Sequence, residues 1–333
     1  MPRQSQAVHL VSRPTGRPSA ANFDFVTEQL PPLPAGQVLV ENVYLSVDPY
    51  MREAMDEGGW ELNAPLEGRT VGRVIESRTP ELAVGDLVFH RRAWRTHVQL
   101  TPAELRRLPA LDGVPLSTHL SLLGGTGLSA WVGLTRVLRL QPGESLFVTA
   151  AAGGVGSAAG QFARLLGADL IVGSTGSAAK ARHLVEQVGF DAAFDYHLAP
   201  VAEQLRAAAP HGVDAVLENV GGEHLEGALD GLRDGGRLAW VGAVAQYSST
   251  EPPAAPRNLY QVVGKSLRLE GFLVRNHLDA QQELTDFLVP HLRSGRIRPQ
   301  ETVVTGFEKV VDAFLGMLDG ANTGKMLVQV GEA

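Results

Sequence analysis

The chain of 333 residues contains no cysteine. That excludes a disulfide framework and denies any metal site thiolate ligands. His90, His97 and His119 show no close ligand-like spacing, so core or surface roles are expected for them and no metal centre is expected. A basic tract is also missing. Lys and Arg number 29 against 36 Asp and Glu, for a formal net charge of -7. The pairs Arg91-Arg92 and Arg106-Arg107 stand alone and read as solvated faces, so a nucleic-acid surface is not expected. No apolar run approaches the length of a membrane span, and the opening MPRQSQAVHL lacks the apolar stretch of a signal peptide. These absences leave a cytoplasmic protein with no nucleic-acid or membrane partner as the expectation.

What is present has the composition of a folded protein. Hydrophobic residues make up 44% and charged residues 20%, far from a disordered chain, and the length suffices for two domains. The most informative stretch is residues 145–156, SLFVTAAAGGVG. Residues 145–149 read as a short buried strand after the turn signal Pro142-Gly143. Ala151, Gly153 and Gly156 then fall on G-x-G-x-x-G spacing, with alanine in the first slot. Residues 155–166 have a helical pattern, and Gly167 is a suitable C-cap. In a strand-turn-helix context this spacing points to dinucleotide binding. Residues without side chains let the backbone approach a pyrophosphate, and the first amides of the helix face its charge.

Upstream, residues 7–115 read as short strands broken by Pro, Gly and Asp. Strands are expected at 8–11, 37–44, 70–76 and 86–89, which suggests a small barrel or sandwich. Near Ser117 the character changes. Gly124, Gly125 and Gly127 lead into a helix to about residue 138. Strands then alternate with helices: strands at 169–173, 192–195, 213–218, 237–242 and 267–272, helices at 177–188, 201–208 and 223–232. This alternation implies a doubly wound parallel sheet of the Rossmann type. Residues 246–256 form a long Ser- and Pro-rich connection, a candidate for function. A helix at 279–294, a strand at 302–305, a helix at 307–318 and a strand at 326–330 complete the chain. This tail is expected to rejoin the N-terminal domain.

The end of the second strand of that sheet discriminates between cofactors. An NAD site places an acid there for the ribose 2′-hydroxyl. Here the sequence is Gly173-Ser174-Thr175-Gly176-Ser177, with Lys180 one helical turn further on. Small hydroxyl side chains leave space for a 2′-phosphate and a cation complements it, so NADPH is expected over NADH.

The chain resembles the zinc-independent medium-chain dehydrogenase/reductases, in the branch of prostaglandin reductases, leukotriene hydroxydehydrogenases and alkenal double-bond reductases. Ser46-Val47-Asp48-Pro49-Tyr50-Met51-Arg52 matches the branch's N-terminal signature and is the most specific of its motifs. Leu123-Gly124-x-x-Gly127-Leu128-x-Ala130, the turn from Ala151 to Gly156, Glu218-Asn219-Val220-Gly221-Gly222, Gly242-Ala243-x-x-x-Gln246-Tyr247 and Asn322-x-Gly324-Lys325 match later ones. The resemblance implies a GroES-like β-barrel catalytic domain at 1–120 and 298–333. It implies a Rossmann NADP-binding domain at 121–297, an active site in the cleft and a homodimer.

The implied activity is NADPH-dependent reduction of the carbon–carbon double bond of α,β-unsaturated aldehydes or ketones, without a metal. Carried over by motif, Gly153, Gly154, Val155 and Gly156 hold the pyrophosphate. Ser174, Lys180 and Tyr196 meet the 2′-phosphate end. Asn219, Val241, Gly242, Ala243, Tyr247, Phe272, Leu273, Val274 and Asn322 face the nicotinamide side. Hydride transfer to the β-carbon leaves an enolate oxygen that needs a donor, and a phenol stays neutral while donating. Tyr247 and Tyr50 are the catalytic candidates, and the alternative role of Tyr50 is packing between domains.

Two departures stand out. Gly264 precedes Lys265 where many members have tyrosine. Tyr260, a substrate-side candidate, lies one helical turn earlier, so either it substitutes or the pocket is wider. Arg91-Arg92-Ala93-Trp94 replaces a stretch that tends to be glycine-rich. The alternatives are a quinone reductase of the zeta-crystallin type, against which the signature around Tyr50 argues, and a non-catalytic nucleotide-binding protein.

Overall fold

A computed structural model describes residues 4–251 and 255–332. Residues 252–254 of the long Ser- and Pro-rich connection lie outside the described residues. The described chain divides into two compact units. The first comprises residues 4–120, Glu301–Asn322 and 326–332; the second comprises Ser121–Gln300 with Thr323–Lys325.

The first unit is built on antiparallel strands. They are β1 (Gln4–Leu10), β2 (Phe23–Gln29), β3 (Val38–Ser46), β4 (Thr70–Ser77), β5 (Leu87–His90), β6 (His97–Leu100) and β7 (Leu105–Arg107). β1 and β2 form a ribbon. β3 is buried along most of its length because it is a central strand, pairing with β4 on one side and β6 on the other. The sequence pattern finds β1, β3, β4 and β5 but not β2, β6 or β7. β2 reads FDFVTEQ, and only Phe23 is buried, so no apolar alternation marks it.

The second unit begins with α1 (Gly125–Val132), continued by one wider turn over Gly133–Val137. It then alternates β8 (Ser145–Val148), α2 (Gly154–Leu165), β9 (Leu170–Thr175), α3 (Ala178–His183), β10 (Ala192–Asp195), α4 (Val201–Ala208), β11 (Val213–Glu218), α5 (Gly222–Gly231) and β12 (Leu232–Trp240). The short α6 (Gln261–Gly264), β13 (Arg268–Gly271) and α7 (Gln281–Arg293) follow. The sheet order is β10-β9-β8-β11-β12-β13, and every pair is parallel. This is the doubly wound Rossmann order, whose direction reverses between β8 and β11. Ligands of such sheets bind beyond the strand C-termini at that reversal. The expected parallel sheet is therefore present, with one boundary corrected. The fifth strand spans Leu232–Trp240, so Val241 and Gly242 lie beyond it.

The chain then returns to the first unit. β14 (Glu301–Thr305), α8 (Val310–Leu318) and β15 (Lys325–Gln329) follow, and β15 pairs antiparallel with β3. The core there closes around Trp94, which is wholly buried and packs at ring-centroid distances of 5.8–6.0 Å against Phe23, Trp60 and Phe314. This accounts for part of the Arg91-to-Trp94 departure. Trp94 plugs the core from a left-handed backbone (φ 55°), a conformation rare for a bulky residue. The buried side-chain amide of Asn42 donates to the carbonyls of Arg92 and Arg95 and ties the segment down.

Candidate functional site

The glycine turn lies where β8 ends, at the reversal of strand order. No side chain caps α2, whose N-cap is Gly153. The turn is tightest at two glycines. A Cβ on Gly156 would stand 2.5 Å from the Ala150 carbonyl oxygen, and one on Gly173 of β9 would stand 2.7 Å from Cβ of Ala151. Ala150 itself has φ 47°, a strained value for alanine. The tail motif reaches the same turn: the Gly324 amide donates to the Ala152 carbonyl at 2.7 Å. First-turn amides with no side-chain cap, a glycine-rich backbone and the positive end of the helix form a donor set suited to a diphosphate. Gly153, Gly154, Val155 and Gly156 sit in this cradle.

A second cluster lies past β9 and β10. Ser177 caps α3 by accepting the Lys180 amide at 3.3 Å. Lys180 is half-buried, and loss of hydration lowers its ammonium pKa. Tyr196 follows β10, and its amide donates to the Thr175 carbonyl. Its ring lies 4.1 Å from that of His197 and 4.6 Å from the buried His224. The Ser174 side chain points inward and is fully buried, with no partner for its hydroxyl among the described residues. Ser174 borders the glycine turn through its carbonyl, which accepts the Ala151 amide.

The third cluster forms where β11 and β12 end. The Asn219 amide donates to the Thr149 hydroxyl, and its side chain donates to the Thr149 carbonyl, both at 2.8 Å. This fixes Asn219 at the reversal between β8 and β11. The following residues fold onto it. Val241 donates to the carbonyl of Glu218, Val244 to that of Asn219 and Ala245 to that of Val220. Tyr247 turns back so that its phenol oxygen accepts the Ala243 amide at 3.3 Å. A Cβ on Gly242 would stand 3.2 Å from that oxygen. Asn219, Val241, Gly242, Ala243 and Tyr247 are thus gathered by one hydrogen-bonded turn. Phe272 joins them through its amide, which donates to the Trp240 carbonyl; Leu273 and Val274 follow, Leu273 being exposed.

Glu218 lies beneath this cluster and is wholly buried. Its Oε1 accepts the amides of Val220 and Gly221 at 2.7 Å each, while Oε2 has no partner among the described residues. Burial raises its pKa to about 7, against the opposing pull of those amides and the Thr149 hydroxyl.

The remaining candidates lie elsewhere. Tyr260 precedes α6 and is 81% exposed. Tyr50 and Asn322 belong to the first unit. Tyr50 is the second residue of a short helical segment, Pro49–Met55, and lies beside Arg69, whose guanidinium is 5.4 Å from the phenol ring centre. Arg69 pairs with Asp48 at 3.5 Å. Burial, and then Asp48, raise the phenol pKa, while Arg69 and Arg91 pull it down. Tyr50 therefore stays protonated at neutral pH. Among the described residues no group of three or more His, Asp or Glu is placed to hold a metal. Sequence reasoning missed His197 and the titration of Glu218. The first lies outside every motif, and the second depends on burial that only the fold supplies.

Comparison with known proteins adds to this geometry. Residues 6–108 match the N-terminal domain of oxidoreductases, and residues 154–289 match the domain described as zinc-binding dehydrogenase. Prostaglandin reductase 1 of Rattus norvegicus is 40% identical over 322 residues, covering 94% of this chain and 95% of that protein. The NADP(+)-dependent 2-alkenal reductase of Nicotiana tabacum is 36% identical, covering 95% and 94%. The crystal structure of CurA from Vibrio vulnificus in complex with NADPH superposes with a TM-score of 0.92 at 31% identity, covering 98% of this chain and all of that one.

Proposed function

Because the chain belongs to the zinc-independent medium-chain dehydrogenase/reductase family, in the branch of prostaglandin and alkenal reductases, we propose that it reduces the carbon–carbon double bond of α,β-unsaturated aldehydes or ketones with NADPH. The observation that carries this reading is the uncapped start of α2, set in a turn closed to a side chain at Gly156 and lying at the reversal of the parallel sheet. The amides at Gly154, Val155 and Gly156 hold the diphosphate. Lys180 and Tyr196 hold the 2′-phosphate. Asn219, Val241, Gly242, Ala243, Tyr247, Phe272, Leu273, Val274 and Asn322 place the nicotinamide end. When bound, the reduced nicotinamide supplies the hydride that goes to the β-carbon.

The chain's own contribution to chemistry is a proton donor for the enolate oxygen. Tyr247 fits this role because the Ala243 amide, donating to its phenol oxygen, holds the side chain over the turn that follows β12, and a neutral phenol can donate to an oxyanion. Tyr50 is the second candidate, since its phenol is held neutral. Residues 1–120 and 298–333 form the catalytic domain and 121–297 the nucleotide domain in this reading, with a homodimer and a cytoplasmic location. The test is NADPH oxidation by the purified protein over 2-alkenals, enones and quinones. Turnover of alkenals or enones is expected. Turnover of quinones alone, or NADPH binding with no turnover, replaces the reading.

A further inference from the structure

The motifs assign Lys180 and Tyr196 to the 2′-phosphate end of the nucleotide, but the structure gathers more chemistry there. β10 is the edge strand of the parallel sheet, and the chain leaves it through Asp195, Tyr196 and His197. A Cβ built on Gly176, just past β9, would stand 3.5 Å from both the Tyr196 phenol oxygen and Cε1 of His197. The bare face of Gly176, the phenol and the imidazole therefore converge on one spot, beside the start of the helix that carries Lys180.

His197 is held there. Oδ1 of Asp195 accepts its backbone amide at 3.0 Å and lies 2.9 Å from its Nδ1. A carboxylate only accepts, so Nδ1 carries a hydrogen and Nε2 is the nitrogen available to a ligand. The imidazole side chain is 59% exposed. Its ring packs against Tyr196 at 4.1 Å, and Tyr196 in turn packs against His224.

We propose that His197, oriented by Asp195, is a third ligand of the nucleotide's 2′-phosphate and sets the preference for NADPH over NADH. The proposal rests on the cofactor reading above. A phosphate monoester loses its last proton near pH 6 and is mostly dianionic at neutral pH, so the bond forms with uptake of one proton from solvent, which Nε2 then carries and donates to a phosphate oxygen. NADH carries a hydroxyl at that position and forfeits this charge-assisted bond.

The test is direct binding of NADPH and NADH to the full-length protein without substrate, followed by nucleotide fluorescence and calorimetry. The wild type is expected to bind NADPH the more tightly. His197→Ala should weaken NADPH roughly tenfold and leave NADH within about twofold. His197→Lys, which restores a donor without the ring, should recover most of the NADPH affinity. Equal weakening of both nucleotides would show that the imidazole merely supports Tyr196, and unchanged NADPH affinity would show that it touches no phosphate. Either result overturns the proposal while leaving the NADPH reading intact. Equal affinity of the wild type for both nucleotides removes the cofactor reading and this proposal with it. Should His197→Ala fold poorly, His197→Asn places an amide nitrogen where Nδ1 lies, keeps the bond to Asp195, removes the donor at Nε2 and answers the same question.

Discussion

Among single residues, Tyr247 and Glu218 make opposite demands on their protons. In the proposed reading Tyr247 gives one up to a developing oxyanion. Removing its hydroxyl in Tyr247→Phe should cut turnover about 10²-fold, within the range for proton donation in a transition state. NADPH affinity should stay within about twofold, so the measurement is kcat beside a cofactor dissociation constant. Unchanged turnover transfers the donor role to Tyr50. Glu218 keeps its proton at higher pH than an ordinary glutamate. Its folded-state pKa, raised to about 7, exceeds the unfolded value, so the native state binds the extra proton. Stability contributed by this group is full below about pH 4.5 and is lost as pH rises to about 7. Glu218→Gln keeps an oxygen for the Val220 and Gly221 amides and cannot ionise. Relative to wild type it should gain about 1–3 kcal/mol between pH 5 and pH 8 in urea melts. Parallel stability curves for the two proteins would exclude titration of Glu218 in this window. Tyr247 and Asn219 are legible in the sequence because they stand in motifs. The state of Glu218 is not, because it arises from burial beneath residues 219–247, a contact between distant parts of the chain.

The secondary-structure elements carry the nucleotide reading through the joint between β8 and α2. Gly156 has backbone on the side where a Cβ would go, so Gly156→Ala must displace the turn. The expected cost is about 1–3 kcal/mol, with at least tenfold weaker NADPH binding in a fluorescence titration. Gly264 offers the contrast. It ends α6, and a Cβ there meets nothing within 4 Å. Gly264→Tyr, which installs the residue many relatives have, should fold with Tm within a few degrees of wild type and change the ratio of kcat/KM between short and long alkenals. An unaltered ratio means that residue 264 does not border the substrate. Glycine spacing and βα alternation made the nucleotide unit readable because helix and strand periods differ so plainly. β2 and β7 escaped because strands with polar or exposed positions carry no such period, and β6 because its alternation, HVQL, spans only four residues. Trp94 escaped too, since nothing in Arg91-Arg92-Ala93-Trp94 signals that the fourth residue fills a core.

Across the whole molecule, the chain passes through the first unit twice, and its tail also serves the second. β14, α8 and most of β15 complete the first unit, yet Thr323–Lys325 belongs to the second. There the Gly324 amide bonds Ala152 in the nucleotide turn, and a Cβ on Gly324 would stand 2.0 Å from the Gln300 carbonyl oxygen. Gly324 also has φ 73°, a backbone open to glycine and strained for alanine. Gly324→Ala should therefore act on the nucleotide site from the far end of the sequence. NADPH affinity is expected to fall at least tenfold, with about 1–3 kcal/mol lost from unfolding. Phe314→Ala supplies the control. It opens a cavity beside Trp94 in the first unit's core and should cost about 3–5 kcal/mol. Its effect on NADPH affinity should be within about twofold, because Phe314 packs on Phe23 and Trp94 within the first unit and belongs to none of the nucleotide-site motifs. If the two substitutions weaken NADPH equally, the tail acts through general stability and not through its bond to Ala152. If only Gly324→Ala does, the tail motif is a third wall of the nucleotide site. In that case the match of Asn322-x-Gly324-Lys325 to its family motif has a physical cause, the approach of the Gly324 amide to the Ala152 carbonyl from a position where a Cβ would meet the Gln300 backbone.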